Sequence, residues 1–167
     1  MYENMKNQTV CFTGHRKIPA DQKLLDRALT YSVEAAINNG YRYFGAGGAL
    51  GFDTAAALAV IRARKVHPDV RLILVLPCRE QAARWSERDK KLYERIKEKA
   101  DKVIYTSEDY FNGCMQKRNR HLVDNSSLCL CYLTEPRGGT YYTVKYAEKK
   151  GIKIINIANL INSVSLK

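Results

Sequence analysis

The sequence predicts an α/β fold, a doubly wound three-layer domain on a mostly parallel sheet of about six strands. Three observations carry that reading. Short apolar runs recur at regular intervals, and stretches of helical periodicity separate them. Runs such as Leu72-Ile73-Leu74-Val75-Leu76 and Leu128-Cys129-Leu130-Cys131-Tyr132-Leu133 are also apolar at consecutive positions. Strands with no wet face need helices on both sides.

In order, a strand at Thr9–Thr13 leads to a helix over about Ala20–Asn38, closed by Gly40. A strand at Tyr41–Gly45 precedes a helix over Asp53–Lys65, whose Ala55, Ala56 and Ala57 let it lie close to the sheet. The strand Val70–Leu76 is followed by a polar helix over Glu80–Ala100 and a strand at Lys102–Thr106. Helical periodicity returns at Cys114–Asn125, then the strand Leu128–Leu133, the helix Thr140–Lys149 closed by Gly151, and the strand Lys153–Ile157. Residues 159–167 read either as a short closing helix or as a frayed tail. No repeat, low-complexity stretch or linker interrupts the alternation, so residues 1–167 are expected to form one domain around a sizeable core.

Composition narrows the function classes. No apolar run approaches the roughly 18 residues of a membrane span, and Met1–Lys6 lacks the apolar stretch of a secretory signal. A soluble cytoplasmic protein without a membrane partner is expected. The five cysteines, Cys11, Cys78, Cys114, Cys129 and Cys131, have no zinc spacing, and Cys129 and Cys131 share one strand face. They read as core residues in a reducing compartment, and no metal site is expected. The 28 Lys and Arg exceed the 17 Asp and Glu by 11, so nucleic acid is a partner to consider. Much of that excess lies in Arg84–Lys102, where Glu87, Asp89, Glu94 and Glu98 alternate with the cations as on a solvated helix face.

In a doubly wound sheet the loops after the carboxyl ends of the strands open on one edge, where ligands bind. Two glycine-rich turns, Ala46–Asp53 and Glu135–Thr140, lie there between a strand and a helix. Without Cβ atoms the backbone N–H groups can approach an anion, and the following helix points its positive end at the same spot. Two such turns predict a phosphate-bearing ligand held by Gly47, Gly48 and Gly51 on one side and Gly138, Gly139 and Thr140 on the other. Asp53 either caps its helix or accepts a ribose hydroxyl. Gly14, His15 and Arg16, at the end of the first strand, are candidate phosphate contacts or ordinary polar loop residues.

Arg118 offers a guanidinium fork for phosphate and Asn119 an amide for a base or ribose, against the plainer reading of Lys117–Arg120 as a solvated basic turn. Pro77, which follows the third strand, and Gln81 and Trp85, four apart on one helix face just beyond it, are further candidate ligand contacts. Trp85 either stacks on a base or fills the gap between helix and sheet. Tyr141 and Tyr142 follow the second glycine turn. No Ser-His-Asp set, paired-carboxylate motif, Walker A sequence or metal-ligand cluster can be recognised. His15 and Asp53 are the only acid–base candidates, and a nucleotide ligand is the only cofactor-like molecule expected.

Four segments, Cys11-Phe12-Thr13-Gly14-His15-Arg16, Gly47-Gly48-Ala49-Leu50-Gly51-Phe52-Asp53, Arg118-Asn119-Arg120 and Gly138-Gly139-Thr140, together resemble the YpsA-like branch of the SLOG superfamily. That superfamily also contains the DNA-processing protein DprA and the Lonely Guy (LOG) cytokinin-activating enzymes. The resemblance implies a Rossmann-like homodimer that binds or senses a nucleotide or nucleotide-derived molecule, such as ADP-ribose or NAD, without an assigned reaction. Matched by position, Gly47, Gly48, Gly51 and Asp53 form the phosphate-and-ribose loop, Arg118–Arg120 the basic helix start, and Gly138–Thr140 the second loop. The LOG enzymes carry P-G-G-x-G-T-x-x-E with a catalytic glutamate; here Thr143 stands at that position. An uncharged side chain there argues against glycosidic hydrolysis by the LOG route. Small-molecule binding is thus the leading expectation, a phosphoribohydrolase-like enzyme using His15 or Asp53 the alternative, and DprA-like single-stranded DNA binding the third.

Overall fold

A computed structural model describes residues 5–165; Met1–Asn4 and residues 166–167, which enter the readings of the leader and the tail, lie outside the described residues. Six strands form one wholly parallel sheet in the order β4-β3-β2-β1-β5-β6. They are β1 (Thr9–Gly14), β2 (Tyr43–Ala46), β3 (Arg71–Leu76), β4 (Lys102–Tyr105), β5 (Leu128–Tyr132) and β6 (Lys153–Asn156). The helices are α1 (Gln22–Asn38), α2 (Phe52–Val66), α3 (Glu87–Lys99), α4 (Cys114–Asp124), α5 (Gly139–Lys149) and α6 (Ile157–Ser165). The segment read as closing helix or tail is helical through Ser165.

Alternation along each strand sorts the core into two layers. Val10 and Phe12 of β1 join Leu29 and Val33 of α1, Ala56 and Val60 of α2, Ile96 of α3 and Ile157 of α6 in the larger cluster. Cys11, Cys129 and Cys131 point to the other face and pack with Leu122 and Val123 of α4 and Val144 and Ala147 of α5. All five cysteines are free and buried. A hydrogen bond with Cys11, followed by burial, holds the Cys129 thiol well above its ordinary value, as expected of inert core sulfur. Residue type also sets the ends of α1: the Asp21 carboxylate accepts the Lys23 and Leu24 N–H groups at its start, and Gly40, at φ +96°, follows its end.

One predicted element starts late. The helix expected over Glu80–Ala100 begins at Glu87, where the Ser86 hydroxyl accepts the Asp89 N–H, and residues 79–84 form turns. Local capping overrides the polar periodicity of Glu80–Trp85. Gln81 and Trp85 therefore do not share a helix face. On α3 the ion pairs Lys90–Glu87 and Lys97–Glu94 join charges one turn apart, as a solvated face does.

The strand order positions the site. From β1 the chain winds outward through β2 and β3 to β4, then returns to β5 on the other side of β1. The connections after β1 and β5 therefore leave the sheet in opposite directions, opening a crevice between the two strand ends.

Candidate functional site

A cleft of about 300 Å³ occupies that crevice. Thr13 to Arg16 after β1, Ala49 and Asp53 after β2, Met115, Arg118 and Asn119 on α4, and Gly139 and Thr140 on α5 line it. Of the residues singled out from sequence, it brings together Gly14, His15, Arg16, Asp53, Arg118, Asn119, Gly139 and Thr140. Thr13 and Ala49 belong to the segments singled out but not to the named contacts, and Met115 lies outside those segments. The signal for Met115 is helical spacing, since Met115, Arg118 and Asn119 lie three and four apart on one face of α4.

The β1 loop is held on both sides. A Cβ on Gly14 would fall 2.4 Å from the Phe52 ring, so the glycine lets α2 close against β1. The His15 carbonyl accepts the Phe52 N–H at 3.1 Å. His15 Nε2 accepts the Thr134 N–H at 3.0 Å, and its ring meets Tyr132 edge-on at 6.1 Å. The imidazole thereby ties the β1 and β5 loops together. Accepting through Nε2 assigns its neutral-form proton to Nδ1.

Two opposite charges lie at the floor. Asp53 and Arg118 are only 6% and 4% exposed. Asp53 Oδ2 accepts the Ala49 N–H at 3.3 Å, whereas Oδ1 is buried without a hydrogen-bond partner among the described residues. Arg118 donates through Nη1 to the Gly47 carbonyl and through Nε to Asn119 Oδ1 at 2.8 Å, while Nη2 lies 3.8 Å from Met115 Sδ. Burial pushes the Asp53 carboxyl up to about 6 against the opposing pull of Arg118, the Ala49 N–H and Arg16. Burial likewise lowers Arg118 from its ordinary value, with Asp53 opposing. Such under-satisfied buried charges cluster at functional sites.

The two glycine turns are built differently. A Cβ on Gly47 would meet Arg118 Nη1 at 2.6 Å and Asp53 Oδ2 at 2.9 Å, so this glycine admits the buried charges. Gly48, at φ +73°, has Leu76 at 2.5 Å from the corresponding position. A Cβ on Gly138, at φ +90°, or on Gly139 would meet nothing within 4 Å among the described residues. The N–H groups of Gly139 to Tyr141 lie in the first turn of α5 and so have no intrahelical acceptor, and among the described residues no side chain caps them. The open cradle is therefore at the second turn. There the Thr143 hydroxyl donates to the Gly139 carbonyl at 2.8 Å.

Gly47, Gly48, Gly51, Gly138, Pro77, Gln81 and Trp85 do not line this cleft, and Gly48 and Gly51 border a second cavity. Gln81 Nε2 donates to the Gly47 carbonyl at 3.3 Å and Gln81 Oε1 accepts from the Tyr93 hydroxyl at 3.3 Å. Trp85 packs edge-on against Tyr93 with ring centres 5.2 Å apart and lines that second cavity, of about 380 Å³, between α2 and α3. It fills space beside the core, and its indole also borders that cavity. Among the described residues no group of three His, Cys, Asp or Glu could hold a metal ion, and no helix is long and apolar enough to cross a membrane.

Known proteins bear on this arrangement at two levels. The chain is 32% identical over 146 residues to the SPbeta prophage-derived protein YoqJ of Bacillus subtilis, covering 80% of this chain and 85% of that protein. It is 31% identical over 129 residues to a UPF0398 protein of Halalkalibacterium halodurans, covering 75% and 68% of the two chains. Among solved structures, DprA from Streptococcus pneumoniae superposes with a TM-score of 0.63 at 18% identity over 90% of this chain, which spans half of that chain's length. DprA from Helicobacter pylori, whose structure concerns its single-stranded DNA binding mode, gives 0.56 at 18% identity over 97% of this chain and 82% of that one. At such identity the likeness is one of fold. The family model described as the YspA SLOG family matches residues 11–162, and the chain belongs to that family.

Proposed function

We propose that this protein binds or senses a nucleotide or nucleotide-derived small molecule, with the ligand's phosphate in the cleft between β1 and β5. The observation that carries this reading is the convergence of the uncapped α5 N-terminus with the side chains of Arg16, Arg118 and Asn119 on one crevice. Arg16 is exposed at the rim, so its loss leaves the core intact. Calorimetry against adenine and guanine nucleotides and ADP-ribose tests the proposal, and a folded sample that binds none of them overturns it. Arg16→Ala is expected to weaken binding severalfold, as loss of one charge-assisted contact does.

Gly139→Ala makes a sharper test. Nothing stands within 4 Å of the added Cβ and the backbone is outside the left-handed region, so stability should change by less than about 0.5 kcal/mol. The methyl group would sit at the mouth of the free N–H groups, and phosphate affinity should fall about tenfold, a difference of about 1.4 kcal/mol.

Holding is favoured over cutting for three reasons. The Thr143 hydroxyl is engaged by a backbone carbonyl, His15 Nε2 is engaged by a backbone N–H, and Asp53 Oδ1 is out of contact with solvent. Chromatography of a bound nucleotide after incubation tests this: release of free base, ribose phosphate or a cleaved pyrophosphate would establish the hydrolase alternative.

A second reading, single-stranded nucleic-acid binding, gains from aromatic side chains next to cations near the same edge. Tyr110 and Phe111, 64% and 44% exposed, follow β4, and Lys117 lies 5.9 Å from the Phe111 ring. Bases stack on such rings while cations follow the backbone. A labelled oligonucleotide should bind with an affinity that falls steeply with salt, and Phe111→Ala should weaken it about tenfold. Binding that ignores salt and the substitution would remove this reading.

Homodimerisation and a cytoplasmic location belong to the same proposal. Light scattering in solution measures the mass.

A further inference from the structure

The 380 Å³ cavity and the phosphate cleft share a wall. Asp53 borders both, and the intervening ridge is Ala49 on the cleft side and Leu50 on the other. The two chambers differ in chemistry. The cleft is lined by arginine, imidazole and amide groups, whereas the second chamber is walled by Leu50, Leu58, Trp85, Leu92 and Tyr93 and reaches Leu74 on the sheet. A largely apolar pocket of this volume with a few polar groups in its lining suits a small planar ring. Gln22, Asp53, Thr54, Arg88 and Asp89 supply those polar groups.

The wall itself is braced. The Gly47 carbonyl accepts from Arg118 on the cleft side and from Gln81 Nε2 on the other, and Gln81 Oε1 accepts from the Tyr93 hydroxyl. Both chambers are thus held in register through one backbone carbonyl.

We propose that the chamber between α2 and α3 receives the base of the nucleotide whose phosphate lies in the cleft, with the ribose crossing the Ala49–Leu50 ridge and Trp85 packing against the base. This rests on the phosphate assignment made above. It adds that the base contributes to affinity through an aromatic contact.

Trp85 is the chain's single tryptophan, so its emission reports on this chamber alone. The experiment titrates the protein with ribose 5-phosphate and with the four ribonucleoside 5′-monophosphates, following heat and tryptophan emission in parallel. The expected result is that at least one nucleotide binds about tenfold or more tightly than ribose 5-phosphate and changes Trp85 emission along the same isotherm, while ribose 5-phosphate binds without that change. Trp85→Leu should erase most of the difference between the two compounds. Leu58→Phe, which fills the chamber while Trp85 is retained, should do the same.

Nucleotide binding with silent Trp85 emission and unchanged affinities in both variants overturns the base assignment and leaves the phosphate site standing. So does ribose 5-phosphate binding with no gain from any base. If neither sugar phosphate nor nucleotide binds, the phosphate site fails and the base chamber fails with it.

Discussion

Replacing Gly51 by alanine is expected to destabilise the fold by about 2–6 kcal/mol, combining left-handed backbone strain with overpacking. Gly51 adopts φ +79°, and a Cβ there would fall 2.2 Å from the Arg16 carbonyl oxygen and 2.5 Å from its carbon. Both atoms are backbone, so no side-chain rotation relieves the contact. The β1 loop is itself fixed by the hydrogen bond from the Phe52 N–H to the His15 carbonyl. For a chain of this size the melting temperature should drop by roughly 10 °C. Gly40→Ala separates the two contributions, because Gly40 has φ +96° with nothing within 4 Å. It should lose only the strain, about 1–3 kcal/mol. Equal losses for the two variants in urea titrations would show that contact with Arg16 is not what requires Gly51.

Asp53→Asn should remove a pH dependence of stability that the native protein carries between about pH 4 and pH 6. The folded carboxyl is raised to about 6 from an ordinary 3.8, chiefly by burial. Between those values the folded state binds the proton that the unfolded state releases. The contribution is therefore fully present below about pH 4 and lost as pH rises through about 6. Its size is about 3 kcal/mol, since each pKa unit corresponds to about 1.4 kcal/mol. The measurement is unfolding free energy by urea at several pH values from 4 to 7, taken as the difference between native protein and variant. That difference should fall as pH rises. A difference independent of pH would mean that Asp53 does not titrate in this window, and one that rises with pH would mean that Arg118 depresses the carboxyl more than burial raises it.

Six strands, their order along the chain and the helices between them were legible because each element carries its own period. Fully buried strands read as unbroken apolar runs, as at Leu128–Tyr132, and helices packed on a sheet read as stripes. The start of α3 was not legible. Residues 80–85 are compatible with a helix, and the choice falls to the Ser86 cap and to Gln81, which bonds to Gly47 and Tyr93 instead. Trp85 shows the same limit: sequence marks it as a large aromatic beyond a strand, and only the packing of α3 against α2 gives it a cavity wall.

The candidate site was legible by position and not by role. That ligands meet a doubly wound sheet at its strand ends singles out the loops holding Gly14–Arg16, Gly47–Asp53 and Gly138–Thr140. Sequence favours the first glycine turn, because it pairs glycines with an aspartate. In three dimensions Gly47, Gly48 and Gly51 are needed by Arg118, Leu76 and the Arg16 backbone, whereas the second turn faces open space. A glycine packed against a protein atom and one that faces open space are identical in sequence.

By itself, then, the sequence determined the α/β class, the parallel sheet and the edge at which a site would form, because local periodicity and the topology rule act through backbone geometry that every side chain along an element reports. The tertiary structure decided that Asp53 and Arg118 share a buried floor, that His15 ties β1 to β5, and that Trp85 lies across the Ala49–Leu50 ridge from the cleft. Those facts depend on long-range packing and on the electrostatic consequences of burial, which arise only when residues distant in the chain are brought out of water together.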